Sequence, residues 1–378
     1  MKLLFISRAY PPVTGGIENQ NYELSQWLPK IAEVKTIANT RGKLFLPLFI
    51  PYALIRALLL FRRYDAVLLG DGVLGIVGWF LKLFHPHTNR NNHTSLSSGE
   101  NIGVGVYSKP VISIVHGLDL TYRNFLYQKL WVGFFIKKLD RLIAVGNETI
   151  KAGVARGIPE EKFVFIPNGV DINKFYKPAE RQELEKFLGE NLTGKKVILT
   201  SGRLAKRKGV AWFISEVMPK LSENILYVVV GDGPDNENIK NAIEKSGLAE
   251  RVKMLGYVKD ADRDLLFNAC DLFVQPNIKI EGDMEGFGIS VIEAASCKIP
   301  VIASRLEGLQ DAIKDGRNGF LIEPGNAGAW AAKISELLSD DAFRKDFGEK
   351  ARQYVVENFS WEKISRQYLE EIQKVLKK

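Results

Sequence analysis

The richest segment for chemistry is Glu285-Gly286-Phe287-Gly288-Ile289-Ser290-Val291-Ile292-Glu293. Its glycines stand just before a helical pattern running to about Cys297, so backbone N–H groups at the helix start can meet a phosphate. Glu285 precedes that helix. Glu293, about a turn and a half into it, can point back to accept hydrogen bonds from sugar hydroxyls. Two carboxylates flanking such a helix start make little sense for stability alone; the plainer alternative is a solvated Glu and a helix-surface Glu. Earlier in the chain, Arg203 follows an apolar run, and Lys208-Gly209 comes five residues later, before another helix. A planar fork of donors beside a mobile point charge suits a diphosphate. A solvated basic loop including Lys206 and Arg207 is the competing reading.

Other loops bear on the same question. Tyr10 to Glu18 (YPPVTGGIE) follows the first apolar run, and Gly15-Gly16 opens a helix at Ile17, which lets backbone approach an anion or simply makes a loop with no ligand. Gly231-Asp232-Gly233-Pro234 again joins a strand to a helix. Gly70-Asp71-Gly72-Val73-Leu74-Gly75 has the spacing of a dinucleotide fingerprint, but no ribose-binding acid follows at the right distance, and tight turning into a buried helix explains it better. His85, His87 and His93 raise a metal site, disfavoured by the proline between the first two and by the polar sequence around them.

The elements that must position these residues are short apolar runs alternating with helical patterns, the signature of parallel α/β units. Six strands are expected between Leu3 and Ile166, and six more between Val197 and Ile322. The 378 residues thus hold two doubly wound Rossmann-like domains, 1–167 and 168–359, divided at the turn-rich Pro167 to Asp171, with a last helix in 360–378. Residues 85–109 form a polar, Asn/Ser-rich insertion expected to be mobile. Two cysteines are too few for a secreted disulfide framework and point to a reducing, cytoplasmic compartment. Basic residues exceed acidic ones 20 to 11 in residues 1–165, a surplus of +9; the remainder, 32 to 33, carries −1. The aromatics of the first half sit among Leu and Ile rather than among the basic residues. An anionic membrane surface therefore fits better than nucleic acid.

Together the motifs resemble the retaining, nucleotide-sugar-dependent glycosyltransferases of family 4, with the GT-B fold of two facing Rossmann-like domains and a crevice between them. The resemblance spans nearly the whole chain. It is carried by Gly15-Gly16-Ile17-Glu18, Val115-His116-Gly117 with Asp119, Pro167 to Asp171, the Arg203/Lys208 pair, Val230 to Pro234, the E-x7-E spacing from Glu285 to Glu293, and Asn318-Gly319-Phe320. It implies that Arg203 and Lys208 hold the donor diphosphate and that Gly16 lets the N-terminal loop close over it, with Gly233 on a further donor-side loop. Glu285 and the Phe287-Gly288 backbone would contact the donor sugar, and Glu293 the nucleotide ribose. His116 would face the donor sugar and acceptor, unless it is a strand-end histidine capping a turn. Lys298 stands where the family usually has Gly, Asp311 where Glu is common, and the 85–109 insertion is absent from typical members.

The resemblance further implies a hexosyl transfer with retention and no metal or other cofactor, to a sugar or lipid-linked acceptor in glycan, glycolipid or cell-envelope polysaccharide synthesis. Alternatives are an epimerase or phosphorylase of the same fold, or a non-catalytic sugar-nucleotide-binding protein. Residues 44–61 form an apolar run broken by Pro47, Pro51 and Arg56, which disfavours a membrane-spanning helix. With Arg62, Arg63 and a basic, aromatic helix from Tyr122 to Lys138, it is expected either to be buried or to anchor the protein peripherally at the inner face of a membrane.

Overall fold

The computed structural model describes residues 1–13, 15–84 and 109–377. The insertion at 85–109, apart from Lys109, and the three histidines within it lie outside the described residues.

Two six-stranded parallel sheets are present. The first comprises β1 (Lys2–Ser7), β2 (Glu33–Ala38), β3 (Ala66–Leu69), β4 (Val111–Val115), β5 (Arg141–Ala144) and β6 (Phe163–Phe165), in the order β2-β1-β3-β4-β5-β6. The second comprises β7 (Lys196–Ser201), β8 (Ile225–Val230), β9 (Val252–Gly256), β10 (Leu272–Gln275), β11 (Val301–Ser304) and β12 (Phe320–Ile322), in the order β12-β11-β10-β7-β8-β9. All six strands expected in each of the two series are found. The apolar runs are continuous because helices cover both faces of a parallel sheet: every residue of β3, β4, β8, β10 and β11 is buried. In each sheet the strand order reverses once, between β1 and β3 and between β7 and β10. Ligands of open α/β sheets bind at such points, outside the carboxyl ends of the strands.

The chain forms two compact units. Unit 1 is Met1–Ala144, Thr149–Ile166 and Ser365–Lys378; unit 2 is Val145–Glu148 and Pro167–Ile364. A single division after residue 167 with a separate tail therefore misses two exchanges. Val145–Glu148 joins unit 2, where the Asn147 backbone N–H and side-chain amide both donate to Asp311, at 2.8 and 2.6 Å. The terminal helix Trp361–Leu376 enters unit 1 from Ser365 onward, held by Gln20 donating to the Tyr368 hydroxyl and by Arg141 paired with Glu371.

In unit 1, helix α1 (Gly16–Trp27) follows β1. Helix α2 (Leu46–Leu60), helix α3 (Gly75–Phe84) and the helical stretch 125–138 share one hydrophobic core with one face of the sheet. That core includes Phe49, Ala53 and Ala57 of α2, Val77 and Leu81 of α3, and Val132 and Ile136 of the third. The third helix starts at Phe125, not Tyr122, because Asn124 adopts an extended backbone and caps the Tyr127 N–H with its side chain. In unit 2 the core gathers Phe213, Tyr227 and Trp330, with the buried Tyr227 hydroxyl satisfied by Thr200 at 2.7 Å.

Glycines set how closely the unit 2 loops approach one another. A Cβ on Gly231, at φ +128°, would lie 1.8 Å from the Gly202 carbonyl oxygen, whereas one on Gly189, at φ +64°, would meet nothing within 4 Å. Gly189→Ala should therefore cost about 1 kcal/mol of backbone strain, and Gly231→Ala about 3 kcal/mol or more, because two loops must also separate. Thermal unfolding of the two variants checks this; equal destabilisation would show that the loops are not held together.

Candidate functional site

The sequence-derived residues of unit 2 converge on the reversal point between β7 and β10. After β7 the chain turns through Arg203 and the short 3-10 segment Lys206–Lys208, and ends at Gly209 in the left-handed conformation. A Cβ on Gly209 would lie 1.9 Å from the Pro276 carbonyl oxygen, so glycine lets this basic loop press against the chain leaving β10. The Lys208 ammonium, nearly buried, sits 2.6 Å from Glu285 Oε2, and the Arg207 guanidinium 3.6 Å from the same oxygen. Asn277 donates to that oxygen at 3.1 Å, Gln275 donates to Asn277 at 2.8 Å, and Ser290 donates to Gln275 at 3.3 Å. A polar chain thus runs from the Lys208 loop to the first turn of the helix Ile289–Ser296.

Burial alone would raise the Glu285 carboxyl, but Lys208 first, then Arg207, with hydrogen bonds from Lys208 and Asn277, holds it at about 2. Burial pulls the Lys208 ammonium below the usual lysine range, opposed by Glu285. Glu307 accepts the Glu285 backbone N–H at 2.6 Å from a left-handed backbone of φ 48°, and burial raises its carboxyl. The loop from Arg203 to Lys208 carries four cations and no acid; Lys208 and Arg207 pair with Glu285, and Arg207 also with Asp283 at 3.6 Å, which leaves the loop with surplus positive charge.

The remaining predicted residues have distinct places. Arg203 is exposed on the same loop, and Glu293 is half-buried within the helix Ile289–Ser296. Gly288, at φ 92°, caps that helix, and a Cβ there would strike Leu309. The Phe287 ring is buried against Phe359, at 5.9 Å between centroids, leaving only its backbone available to a ligand. Gly233 lies where a Cβ would meet the Leu204 carbonyl oxygen at 2.1 Å, a packing reason for that glycine. A groove of about 300 Å³ near Lys206, Trp212 and Asn238 includes neither Lys208 nor Glu285 and lies outside this cluster. Asp262-Arg263-Asp264 falls within the helix Asp260–Ala269, where Asp264 pairs with Lys177.

In unit 1 a second polar cluster sits at the other reversal point. Arg8, just after β1, pairs at 2.8 Å with the buried Asp71, just after β3. Asp119 accepts the backbone N–H groups of His116 and Gly72 at 2.9 and 3.1 Å, and burial raises its carboxyl against the pull of nearby His116. The His116 ring bonds the Gly70 carbonyl at 3.0 Å, which fixes its orientation. Gly70 to Gly75 is accordingly a tight turn into α3. Gly16 opens α1 directly after Gly15.

Asn277 and Glu307 are not among the residues expected from the sequence, and Arg207 enters there only as part of a solvated basic loop with Lys206; its signal is its position beside Lys208. Among the family departures, Lys298 adopts a left-handed backbone of φ 65°, which explains a glycine there, and is tied to Glu349 at 2.7 Å. Asp311, standing for Glu, is the anchor of Asn147.

Residues 14–174 match the family model described as Glycosyltransferase Family 4, and residues 181–354 that described as Glycosyl transferases group 1. An uncharacterized glycosyltransferase of Methanocaldococcus jannaschii is 31% identical over 55% of this chain and 53% of its own length. The N-acetyl-alpha-D-glucosaminyl L-malate synthase of Bacillus anthracis is 27% identical over 68% of this chain and 66% of its own. These matches thus span about half to two thirds of the curated relatives. The Anabaena protein HepE, solved in complex with UDP and glucose, superposes with a TM-score of 0.74 at 21% identity, covering 99% of this chain and 100% of that one. The fold is of the GT-B class, with two Rossmann-like units. The chain belongs to the glycosyltransferases that the two family models describe.

Two outcomes follow from the buried pair. Lys208→Ala leaves Glu285 buried without its nearest counter-charge and should cost about 3 kcal/mol, whereas the exposed Arg203→Ala should stay within about 0.5 kcal/mol of the parent. Similar unfolding temperatures for both would refute the pairing. Because the folded Glu285 value of about 2 lies below the ordinary 4.5, its stabilisation is present above about pH 4.5 and is lost as pH falls toward 2. The stability gap between parent and Glu285→Gln should shrink over that window, by on the order of 3 kcal/mol. A gap constant with pH would contradict it.

Proposed function

We propose that this protein is a retaining glycosyltransferase that moves a hexose from a nucleotide-sugar to a hydroxyl of a sugar or lipid-linked acceptor. The supporting observation is the Lys208–Glu285 pair at the β7/β10 reversal point, with surplus cationic charge beside it. Lys208 is the group that meets the donor diphosphate, and Arg203 reaches it from the exposed part of the same loop. Glu285 and the Phe287-Gly288 backbone border the transferred sugar, and Glu293 takes the ribose.

In the reaction the anomeric C–O bond to phosphate breaks, and its electron pair goes to the leaving diphosphate. The acceptor oxygen bonds to the anomeric carbon on the same face, and its proton passes to the departing phosphate oxygen. Lys208 and Arg203 stabilise the charge on the leaving group by electrostatics fixed before reaction, the part a metal ion plays elsewhere. His116 borders the sugar and acceptor, its ring orientation set by the Gly70 carbonyl. The protein acts in the cytoplasm, in glycan or glycolipid assembly.

A thermal-shift screen with UDP-, GDP- and ADP-sugars identifies the donor, since a ligand of the native state raises its apparent stability. With that donor, Lys208→Ala and Arg203→Ala should each lower kcat/KM by about 10²–10³-fold, and Lys206→Ala should do little. Glu285→Gln should lose most turnover, Glu293→Gln should chiefly raise the donor KM, and EDTA should leave the parent rate intact. Unchanged kinetics in both Lys208→Ala and Arg203→Ala would remove the proposed clamp.

A further inference from the structure

The outer side of unit 1's helix layer carries an unusual surface. With about 100° per residue, α2 directs Phe49, Ala53 and Ala57 into the core, while Leu48, Tyr52, Ile55 and Leu59 fall on the opposite side, from 52% to 70% exposed; Leu44, in the turn just before the helix, is 98% exposed. The helical stretch Lys43–Arg63 is long and apolar enough to cross a membrane, yet its inner face is part of the sheet's own core, so it lies along the unit. α3 ends on exposed Leu83 and Phe84, and the neighbouring helical stretch exposes Phe125, Leu126 and Leu130. These helices cover the same face of one sheet, so their outer surfaces belong to one side of unit 1. Among the described residues, the large exposed hydrophobics of unit 2 are only Tyr257 and Phe343. Apolar surface of this extent marks a binding face.

Charge identifies the occupant. Between Val34 and Tyr64 there are six basic residues and no acidic one; between Gly72 and Phe84, and between Leu120 and Leu139, acidic residues are again absent. Lys43, Arg56, Arg62, Arg63 and Lys129 are all exposed. Solvated helix faces ordinarily mix both signs. We propose that this layer docks on an anionic lipid surface, with the α2 stripe in the headgroup–acyl boundary and the flanking cations on the headgroups. Two copies meeting through this face would bring the same cations together, which disfavours self-association. The inference is independent of the donor reading, because its readout is lipid binding.

The test is flotation of the full chain with vesicles of phosphatidylcholine alone or mixed with phosphatidylglycerol. The parent should bind the anionic vesicles, and binding should fall with added salt. Arg62→Ala with Arg63→Ala should lower partitioning on the order of thirtyfold. Leu48→Glu with Ile55→Glu should abolish it without changing the unfolding temperature, since both side chains are exposed. Absence of binding to anionic vesicles at low salt would overturn the proposal. So would equal binding to both compositions, or a lipid-free dimer that Leu48→Glu with Ile55→Glu dissociates.

Discussion

The Lys208–Glu285 ion pair is the constraint around which unit 2 is arranged. Two opposite charges, both about nine-tenths buried, would be costly to remove from water if they met without further partners. The surrounding groups supply those partners: Arg207 adds a second cation, Asn277 donates to the same oxygen, and Glu307 fixes the Glu285 backbone. The pair also spans the reversal between β7 and β10, so the loops that carry it are the ones a ligand would meet first. A cation held there at a fixed position needs little rearrangement to face a diphosphate.

That arrangement depends on backbones coming closer than side chains allow. Gly209 against Pro276, Gly231 against Gly202 and Gly233 against Leu204 bring the chains leaving β7, β8 and β10 into contact. The Leu204 and Asp235 N–H groups bond across the same interface, to Asp232 and Leu204. A glycine after a strand is therefore consistent with phosphate approach and with loop packing alike, and at Gly233 the contact is packing against the Leu204 carbonyl. Unit 1 repeats the theme in another form: Arg8 and Asp71 bridge its own reversal point, and Asp119 organises the turn that bears His116.

The strands were legible because both faces of a parallel sheet are buried, which makes each strand a continuous apolar run. Their reversal points, and hence the crowding of Lys208, Glu285 and Asn277, depend on strand order, which no local pattern encodes. Arg207 and Lys206 are adjacent and chemically alike, yet one reaches Glu285 and the other faces solvent. The difference arises from a single 3-10 turn ending at Gly209. The transfer of Val145–Glu148 to unit 2 rests on Asp311, more than 160 residues away, and on the close approach of Gly146 to the Gly286 carbonyl. In α2, composition announced an apolar helix, but only packing distinguishes its buried alanines from its exposed leucines.

A crystal structure with a nucleoside diphosphate bound tests most directly whether Lys208 is the diphosphate contact. A terminal phosphate oxygen should lie within hydrogen-bond distance of Lys208 Nζ, with Glu285 retained beside it and the nucleoside running toward Glu293. A diphosphate bound elsewhere, with Lys208 still paired to Glu285 alone, would contradict it.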